Sequence, residues 1–335
     1  MPNPEISIVV PLYNKEREIG RCIRSVLAQD ASPFELIVVN DGSMDGSADV
    51  VRSFDDPRIR LVEQVNSGVA SARNRGIAEA RTDLVAFLDA DDQWLHEYLT
   101  TVLGLSKLCP EAGAYFTAFW IHRGGGWART VTIPPKYLHR DKPLFKDYFA
   151  TPSGNLIPSA FAIRKNIIEK TGPFQEMFAE DVDIWLRIAA LYPIAYSKSP
   201  QAIWHVNASN RRCVAQDNQA QGYQAGALAA SLGFILQAPD VTEASKLKAQ
   251  NYVANRELLA VLPVFSCEGS EPARRLLQRW EDTHGKAPSS LRFALYFPRK
   301  FVQCIEFAQV QFRKVQIACA YLWYRRRAAE AISLS

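Results

Sequence analysis

The feature that most limits the possible folds is an apolar run that ends abruptly in a group of carboxylates. Leu84–Leu88 is uniformly apolar and is followed directly by Asp89, Asp91 and Asp92. A surface strand would alternate apolar and polar residues, so this run predicts a central parallel strand that is covered on both faces. Ligands of open α/β sheets bind at the carboxyl ends of the strands, which is where these acids would lie.

Asp89 and Asp91 are two positions apart, which in an extended chain places both side chains on the same side. Carboxylate oxygens in that arrangement can share a magnesium or manganese ion. The same residues also fit an acidic loop in which Asp92 caps a helix that begins near Trp94. Both interpretations stay open on these residues alone.

Apolar runs and helical patterns alternate along the first part of the chain. The sequence pattern predicts strands over 6–12, 34–39, 58–62 and 84–88. Amphipathic patterns between them predict helices over 15–28, 45–54 and 68–81. Strands that alternate with helices in this way form a parallel, doubly wound sheet with right-handed crossovers. The predicted fold class is therefore α/β, with polar residues at the exit of each strand.

The order of elements is less regular beyond Leu95. The pattern predicts a helix to Leu108, strands over 114–121, 156–164 and 202–205, a glycine turn at 124–126 and a helix over 180–191. From about residue 210 the pattern is helical throughout. We therefore divide the chain into an α/β domain over 1–210 and a helical extension over 211–335.

The composition is typical of a soluble protein, with 48% hydrophobic and 22% charged residues in a chain of 335. The six cysteines are scattered and form no CxxC pair, which favours a reducing compartment. The N-terminus lacks the basic and apolar regions of a secretory signal, and no window has the length of a membrane span. We therefore expect a cytoplasmic protein.

Positive charge is concentrated near the C-terminus. Residues 241–335 hold 15 Lys and Arg against 8 Asp and Glu. The last predicted helix has an apolar stripe from Phe301 to Leu322, with basic residues at 299–300 and 325–327. Such a helix could lie on an anionic membrane surface, at the inner face of the plasma membrane, or pack on the α/β domain.

Five short motifs occur in a fixed order along the chain: Pro11-Leu-Tyr-Asn14, Asn40-Asp-Gly-Ser43, Ser71-Ala-Arg-Asn-Arg-Gly76, Asp89-Ala-Asp91 and Glu180-Asp181. In this order and spacing they resemble the family 2 glycosyltransferases over residues 6–210. The resemblance implies the GT-A fold, a nucleotide-sugar-binding fold with a mostly parallel doubly wound sheet. It also implies a nucleotide-diphospho-sugar donor, with UDP favoured, and inversion of the anomeric centre.

The resemblance assigns roles to particular residues at the strand exits. The expected nucleotide-binding residues are Pro11, Tyr13, Asn14, Asp41, Arg73 and Asp89. The expected ligands of a divalent cation, manganese or magnesium, are Asp91, Asp89 and His205. From the residues alone, Tyr13 could equally be a loop-packing aromatic, Arg73 a helix-surface charge and His205 a structural histidine.

The resemblance makes Asp181 the general base. Acidic residues in the first turn of a helix are also favoured by the helix dipole, so Glu180 and Asp181 have a structural explanation as well. As a base, Asp181 would deprotonate a hydroxyl of a glycan or lipid-linked saccharide as it attacks the sugar in a single displacement. The cation would stabilise the leaving nucleoside diphosphate.

Two rival functions remain open. A nucleotidyltransferase would release pyrophosphate from a nucleoside triphosphate, but the chain has no Gly-rich, Lys-bearing phosphate loop. A non-catalytic module would bind nucleotide or glycan without turnover. The chain lacks the QxxRW motif of processive family members, and we expect no nucleic acid among its partners.

Overall fold

The computed structural model describes residues 3–30, 33–123, 128–151, 156–177, 179–209 and 219–259, and four positions between 275 and 281. The chain divides into two compact units, Met1–Val253 and Ala254–Ser335. The first unit holds every element described below except the last six residues of the final helix. The predicted turn at 124–126 and the predicted helix from Phe301 lie outside the described residues.

One mixed sheet forms the centre of the first unit. Its strands, in chain order, are β1 (Ile6–Leu12), β2 (Phe34–Asp41), β3 (Ile59–Gln64), β4 (Leu84–Phe87), β5 (Gln93–Trp94), β6 (Ala114–His122), β7 (Ala128–Val131), β8 (Phe161–Arg164) and β9 (Ile194–His205). The helices are α1 (Ile19–Leu27), α2 (Ser47–Arg52), α3 (Val69–Glu79), α4 (Tyr98–Leu108), α5 (Lys165–Thr171), α6 (Glu180–Leu191), α7 (Gln219–Gln237) and α8 (Glu243–Leu259). Short 3-10 helices occupy Pro135–Tyr137 and Pro158–Ala160.

The strand order is β3-β2-β1-β4-β8-β6-β9-β5, and β7 pairs with β6 beside this path. From β3 to β4 every pairing is parallel, which confirms the predicted doubly wound half. Beyond β4 the sheet is mixed: β8 is antiparallel to β4 and β6, whereas β6 and β9 are parallel. The carboxyl ends of β1, β2 and β4 therefore lie at the same edge of the sheet.

Alternate residues of the central strands face two separate cores. In β1, Ile8 and Val10 pack in the core that α1 and α4 cover, whereas Val9 packs in the core that α3 and α6 cover. Both faces are buried, as the uniformly apolar strand sequences predicted. Each fully buried aliphatic side chain contributes about 1.5–3 kcal/mol, so this three-layer arrangement holds the strand exits in fixed positions.

Helix α3 lies unusually close to β1. A Cβ atom added at Gly76 would overlap the side chain of Val9, so only glycine fits at this crossing. The close approach brings the first turns of α3, with Arg73, against the exits of the parallel strands. Gly76 was quoted from the sequence only as part of a motif, and its packing role appears in the structure.

Several boundaries differ from the sequence predictions. The helix expected from Trp94 begins at Tyr98, because Gln93 and Trp94 pair with β9 as a short strand. Asp92 does not cap it, since its side chain accepts hydrogen bonds from Ser159 Oγ and from the backbone N–H of His205. The strand predicted over 156–164 begins only at Phe161, and the one predicted over 202–205 is the end of the longer β9.

Helices α7 and α8 pack against α6 in the first unit. Leu186 of α6, Leu228 and Ile235 of α7 and Tyr252 of α8 share one apolar cluster. The domain division predicted at residue 210 lies in a stretch outside the described residues and stays a prediction.

In the part of the chain that the structure describes, no helix combines the length and apolarity that a membrane crossing needs. The predicted cytoplasmic location, peripheral to a membrane, stays a prediction.

Candidate active site

The loops that follow β1 and β2 are locked together at the carboxyl edge of the sheet. Asn14 has a left-handed backbone (φ 50°), and its N–H donates to Ser43 Oγ over 3.0 Å. Its side-chain oxygen accepts from the N–H of Met44 at 2.8 Å. Pro11 is half-buried within β1, and the ring of Tyr13 is 37% exposed beside the locked loops. Tyr13 is thus accessible for stacking on a planar ligand.

Asp41, at the end of β2, is buried and organises the loop before α3. Its Oδ1 accepts from Gln64 Nε2 at 2.7 Å and from the N–H of Ser67 at 2.8 Å. Its Oδ2 accepts from the N–H of Gly68 at 2.9 Å. A carboxylate has about four acceptor positions, so Asp41 retains the capacity to accept a hydrogen bond from a base while it holds this loop.

Arg73 is buried between two carboxylates. Its Nη2 donates to Asp89 Oδ1 at 2.9 Å, and its Nη1 donates to Glu180 Oε1 at 2.8 Å. Burial opposes its charge, but the carboxylates of Asp89 and Glu180 raise the pKa of Arg73 above its ordinary value. The surface-charge interpretation of Arg73 is therefore wrong: this side chain joins α3, the exit of β4 and the start of α6.

The acids after β4 have different surroundings. The side chain of Asp89 is 31% exposed, whereas that of Asp91 is 15% exposed and lies 2.9 Å from Lys15 Nζ. Arg21 donates to the backbone oxygen of Asp91. Asp92 is buried, and burial together with the charges of Asp91 and Asp89 raises the pKa of its carboxyl well above the ordinary value. Asp92 is thus a structural acid, whereas the side chains of Asp89 and Asp91 remain partly exposed.

Asp89 and Asp91 suit a divalent cation that takes its other ligands from a substrate. Among the described residues, no group of three or more His, Cys, Asp and Glu side chains is placed to hold a metal ion. Magnesium is commonly bound by one or two carboxylates plus the oxygens of a substrate phosphate. The donor set of hard carboxylate oxygens at this strand exit fits such a shared site.

His205 lies at the end of β9, beside these acids. Its Nε2 donates to Gln93 Oε1 at 2.8 Å, and the centroid of its ring is 4.9 Å from that of His122. Burial and the charges of Arg21 and His122 lower the pKa of His205 to about 4. Its imidazole is therefore neutral near pH 7, which is the form that binds metals. Its predicted role as a ligand stays a prediction.

Asp181 is the second residue of α6. The helix begins directly after Ala179, which has a left-handed backbone (φ 62°). Its Oδ1 accepts from the N–H of Val182 at 2.9 Å. Burial and the neighbouring carboxylate of Glu180 raise the pKa of Asp181 to about 7. A general base works best when its pKa is near the working pH, so this acid suits proton abstraction.

The segment before Asp181 is tied to α3 by side chains that we did not single out from the sequence. Asn74 donates through Nδ2 to the backbone oxygen of Phe174 at 2.8 Å, and its Oδ1 accepts from the N–H of Phe174 at 3.0 Å. Glu176 accepts from the N–H of Ser71 in the first turn of α3. Asn74 stands inside a quoted motif, which was the only available signal.

Ser159 and Lys15 were also missed. Ser159 Oγ donates a hydrogen bond to Asp92 and accepts one from the N–H of Asp89. Lys15 Nζ donates to Asp91. Serine in a loop and lysine at a helix start are common, and their partners lie about 70 positions away. Local sequence patterns therefore contain no signal for these contacts.

Residues 7–172 match the model of the family described as Glycosyl transferase family 2. This region of the chain belongs to that family. The match includes the motifs at the exits of β1, β2 and β4, and so confirms the resemblance seen in the sequence. Asp181 and His205 lie beyond the matched residues, so their roles depend on the geometry described above.

Named relatives of the family include the putative colanic acid biosynthesis glycosyl transferase WcaA of Escherichia coli. It is 26% identical over 229 residues, which are 66% of this chain and 79% of WcaA. Shorter matches to curated glycosyltransferases of Bacillus subtilis and Escherichia coli are 46% and 40% identical. In these shorter matches the chain spans only 26% and 36% of the relatives' length.

Solved structures show the same fold. The S. aureus protein TarS 1–349, in complex with UDP-GlcNAc, is 20% identical with a TM-score of 0.67, over 93% of this chain and 92% of that one. The mannosyltransferase PcManGT of Pyrobaculum calidifontis, in complex with GDP-Man and Mn²⁺, is 19% identical with a TM-score of 0.54, over 89% and 83%. At these identities the likeness shows the fold, which is of the GT-A type as predicted.

Proposed function

We propose that the protein is an inverting glycosyltransferase that moves a sugar from a nucleotide-diphospho-sugar to a hydroxyl group of a saccharide acceptor. The observation that carries this proposal is Asp181, a carboxyl group with a pKa near 7, fixed through Glu180 and Arg73 to Asp89. Asp181, the proposed base, and Asp89, the proposed donor-binding acid, lie on opposite sides of Arg73. This arrangement suits a direct displacement.

The donor nucleotide is assigned to the exits of β1, β2 and β4. Asp41 and the exposed ring of Tyr13 would meet a base, with Pro11 in β1 and Asn14 in the locked loop beside them. Asp89 and Asp91 would hold a divalent cation together with the diphosphate. That cation would supply Lewis-acid stabilisation of the negative charge on the leaving group.

The reaction needs one proton transfer by the chain itself. The acceptor oxygen forms a bond to the anomeric carbon as the bond to the diphosphate oxygen breaks, and the electron pair of that bond leaves with the diphosphate. Asp181 takes the proton of the acceptor hydroxyl. Because Val182 engages Oδ1, we assign the proton to Oδ2. Displacement from the opposite face inverts the anomeric centre.

A UDP-sugar is the donor that we favour, because the TarS structure was solved with UDP-GlcNAc and shares this fold over almost its whole length. The GDP-Man complex of PcManGT keeps GDP-sugars as the second candidate and supports a divalent cation, manganese or magnesium. A glycan or lipid-linked saccharide is the proposed acceptor, a class consistent with the pathway in the name of WcaA.

The first experiment measures thermal stability with UDP, GDP, CMP and dTDP, each with Mn²⁺ and again with EDTA. A ligand that binds only the folded state raises the melting temperature. We expect a selective, metal-dependent shift with UDP that Asp91→Ala removes. No shift with any nucleotide would contradict the assigned donor site, and an equal shift in EDTA would contradict the cation.

The second experiment tests turnover. Asp181→Asn should lower the rate of transfer by about 10²–10⁴-fold and leave the affinity for the donor unchanged. Asp83→Asn, at the opposite end of β4 with a side chain 57% exposed, is the matched control and should keep full activity. Turnover by Asp181→Asn would remove the residue from this role. Release of pyrophosphate from a nucleoside triphosphate by the wild type would favour a nucleotidyltransferase. Nucleotide binding by the wild type without any sugar transfer would favour a non-catalytic module.

We also propose that the basic C-terminal stretch binds an anionic membrane surface, where a lipid-linked acceptor would be found. The support is the sequence alone, an apolar stripe between basic residues at 299–300 and 325–327. Replacing Arg325, Arg326 and Arg327 by Gln in the full chain should reduce sedimentation with phosphatidylglycerol vesicles. Equal sedimentation of both proteins, or none by the wild type, would contradict this.

A further inference from the structure

Lys15 has a rigid backbone next to the proposed donor site. It follows Asn14 in the loop after β1, and its N–H donates to Ser47 Oγ at 2.8 Å. Its carbonyl oxygen accepts from the N–H groups of Glu18 and Ile19, where α1 begins. The position of its Cα atom is therefore fixed, and only the flexible four-carbon side chain can move.

The ammonium group of Lys15 lies on a carboxylate that the proposed function needs for another purpose. Nζ is 2.9 Å from Asp91 Oδ2 and also donates to the backbone oxygen of Ser209. The two side chains are only 11% and 15% exposed, so water screens their attraction less than it screens a surface pair. Asp91 is one of the two carboxylates assigned to the divalent cation.

An ammonium and a divalent cation cannot share this carboxylate without strong repulsion. Two positive charges at contact distance repel each other, the double charge of the cation doubles that repulsion, and water screens it little in this partly buried place. A cation that binds Asp91 through Oδ2 takes the oxygen on which Lys15 Nζ lies and pushes the ammonium away from it. The displaced ammonium needs a new negative partner, and the diphosphate of the donor arrives together with the cation.

On the basis of the proposed function, we infer that Lys15 competes with the divalent cation for Asp91 in the donor-free protein. When the cation and the donor bind, Lys15 exchanges Asp91 for the donor diphosphate. The exchange links cation binding to donor binding, because the donor diphosphate offers Lys15 a negative partner that the cation alone does not bring. The ammonium also acts on the reaction, because the diphosphate gains one negative charge when the sugar leaves. Donors directed at charge that develops in the transition state accelerate such a step.

The test measures Mn²⁺ affinity by electron paramagnetic resonance in nucleotide-free protein. Lys15→Met removes the charge and keeps the length, and it should bind Mn²⁺ about ten-fold more tightly than wild type. Lys15→Arg keeps the charge and should stay near wild type. The matched control is Lys142→Met, which breaks an exposed ion pair of 3.0 Å with Glu111 and should change nothing. With UDP added, Lys15→Met should lose its advantage and bind the nucleotide more weakly.

Equal Mn²⁺ affinity of wild type and Lys15→Met would overturn the inference. An equal gain in Mn²⁺ affinity for Lys142→Met and Lys15→Met would also overturn it. If Lys15→Met does not fold, ¹⁵N spectra of lysine ammonium groups in the wild type replace it, with Lys15→Arg for assignment. The Lys15 signal should move when Mg²⁺ and UDP are added, and an unmoved signal would overturn the inference. Sugar transfer by the wild type, assayed separately, distinguishes this failure from failure of the proposed function.

Discussion

The guanidinium group of Arg73 lies 2.8 Å from the carboxylate of Glu180, although the two residues are 107 positions apart in the chain. The other terminal nitrogen of Arg73 donates to Asp89. A single buried cation thus joins the residue that follows the exit of β4 to the helix that carries Asp181. Its removal would take the positive charge away from both carboxylates, and that of Glu180 is only 10% exposed.

Arg73→Met should destabilise the protein by about 3–5 kcal/mol, because breaking a buried ion pair leaves uncompensated charge. Arg75→Met is the control, since Arg75 lies two residues away on α3 with its side chain half exposed and paired with Glu79. Such surface pairs contribute less than about 1 kcal/mol. Urea unfolding of the two variants measures the difference, and equal losses would show that the Arg73 pairs have no special weight.

The rate of sugar transfer should depend on the ionisation of Asp181. Burial and the charge of Glu180 raise its pKa to about 7, and the base acts only when deprotonated. We therefore expect kcat/KM to fall about ten-fold for each pH unit below 7 and to level off above it. A profile from pH 5 to 9 measures this limb. A flat profile down to pH 5 would assign the base to a group with an ordinary pKa.

The stability of Asp181→Asn should exceed that of the wild type above pH 7. The folded-state pKa near 7 lies above the ordinary 3.8, so the folded protein holds this proton more tightly than the unfolded chain does. The stabilisation from the bound proton is complete below about pH 4 and disappears as the pH rises through 7.

The amide that Asp181→Asn introduces stays neutral at every pH, so the gain should be about 1–3 kcal/mol at pH 8 and vanish near pH 4. Thermal unfolding at the two pH values measures it. A variant less stable than wild type at pH 8 would contradict the raised pKa, and Asp83→Asn again serves as the control.

Gly76→Ala should destabilise the protein although alanine is the better helix former. The added methyl group would overlap Val9 at the crossing of α3 and β1, and overpacking of this kind costs about 1–3 kcal/mol. Gly104→Ala in α4 is the matched control, because no atom lies within 4 Å of its added Cβ, and it should stabilise by about 0.8–1 kcal/mol. Stabilisation by both substitutions in a denaturant titration would contradict the close approach.

The parallel half of the fold was predictable because its signals are local. An apolar strand ends in polar residues, a helix follows, and general rules place all such strand exits at one edge. Asp41, Asp89 and Asp91 are there as expected. The mixed half was less predictable: Gln93 and Trp94 look helical until β9 is known to pair with them.

The contacts that adjust the site were not predictable, since they depend on which distant side chains meet. Lys15 on Asp91, Arg73 on Glu180 and Asn74 on Phe174 join residues 76 to 107 positions apart. The ionisation of Asp181 likewise depends on burial in the folded protein. The sequence indicated that an acid begins α6, but not that its proton would be lost near neutral pH.

The position of β9 between β6 and β5 has a consequence for the order in which the protein is made. On the ribosome, β1 to β4 can pair once residue 87 has emerged, whereas Gln93 and Trp94 have no partner until residues 194–205 appear. Closing so long a loop is entropically costly and slow. We therefore expect the nascent chain to present the edge proposed to bind nucleotide early, and the proposed base, Asp181 on α6, to reach that edge in the last stage of folding.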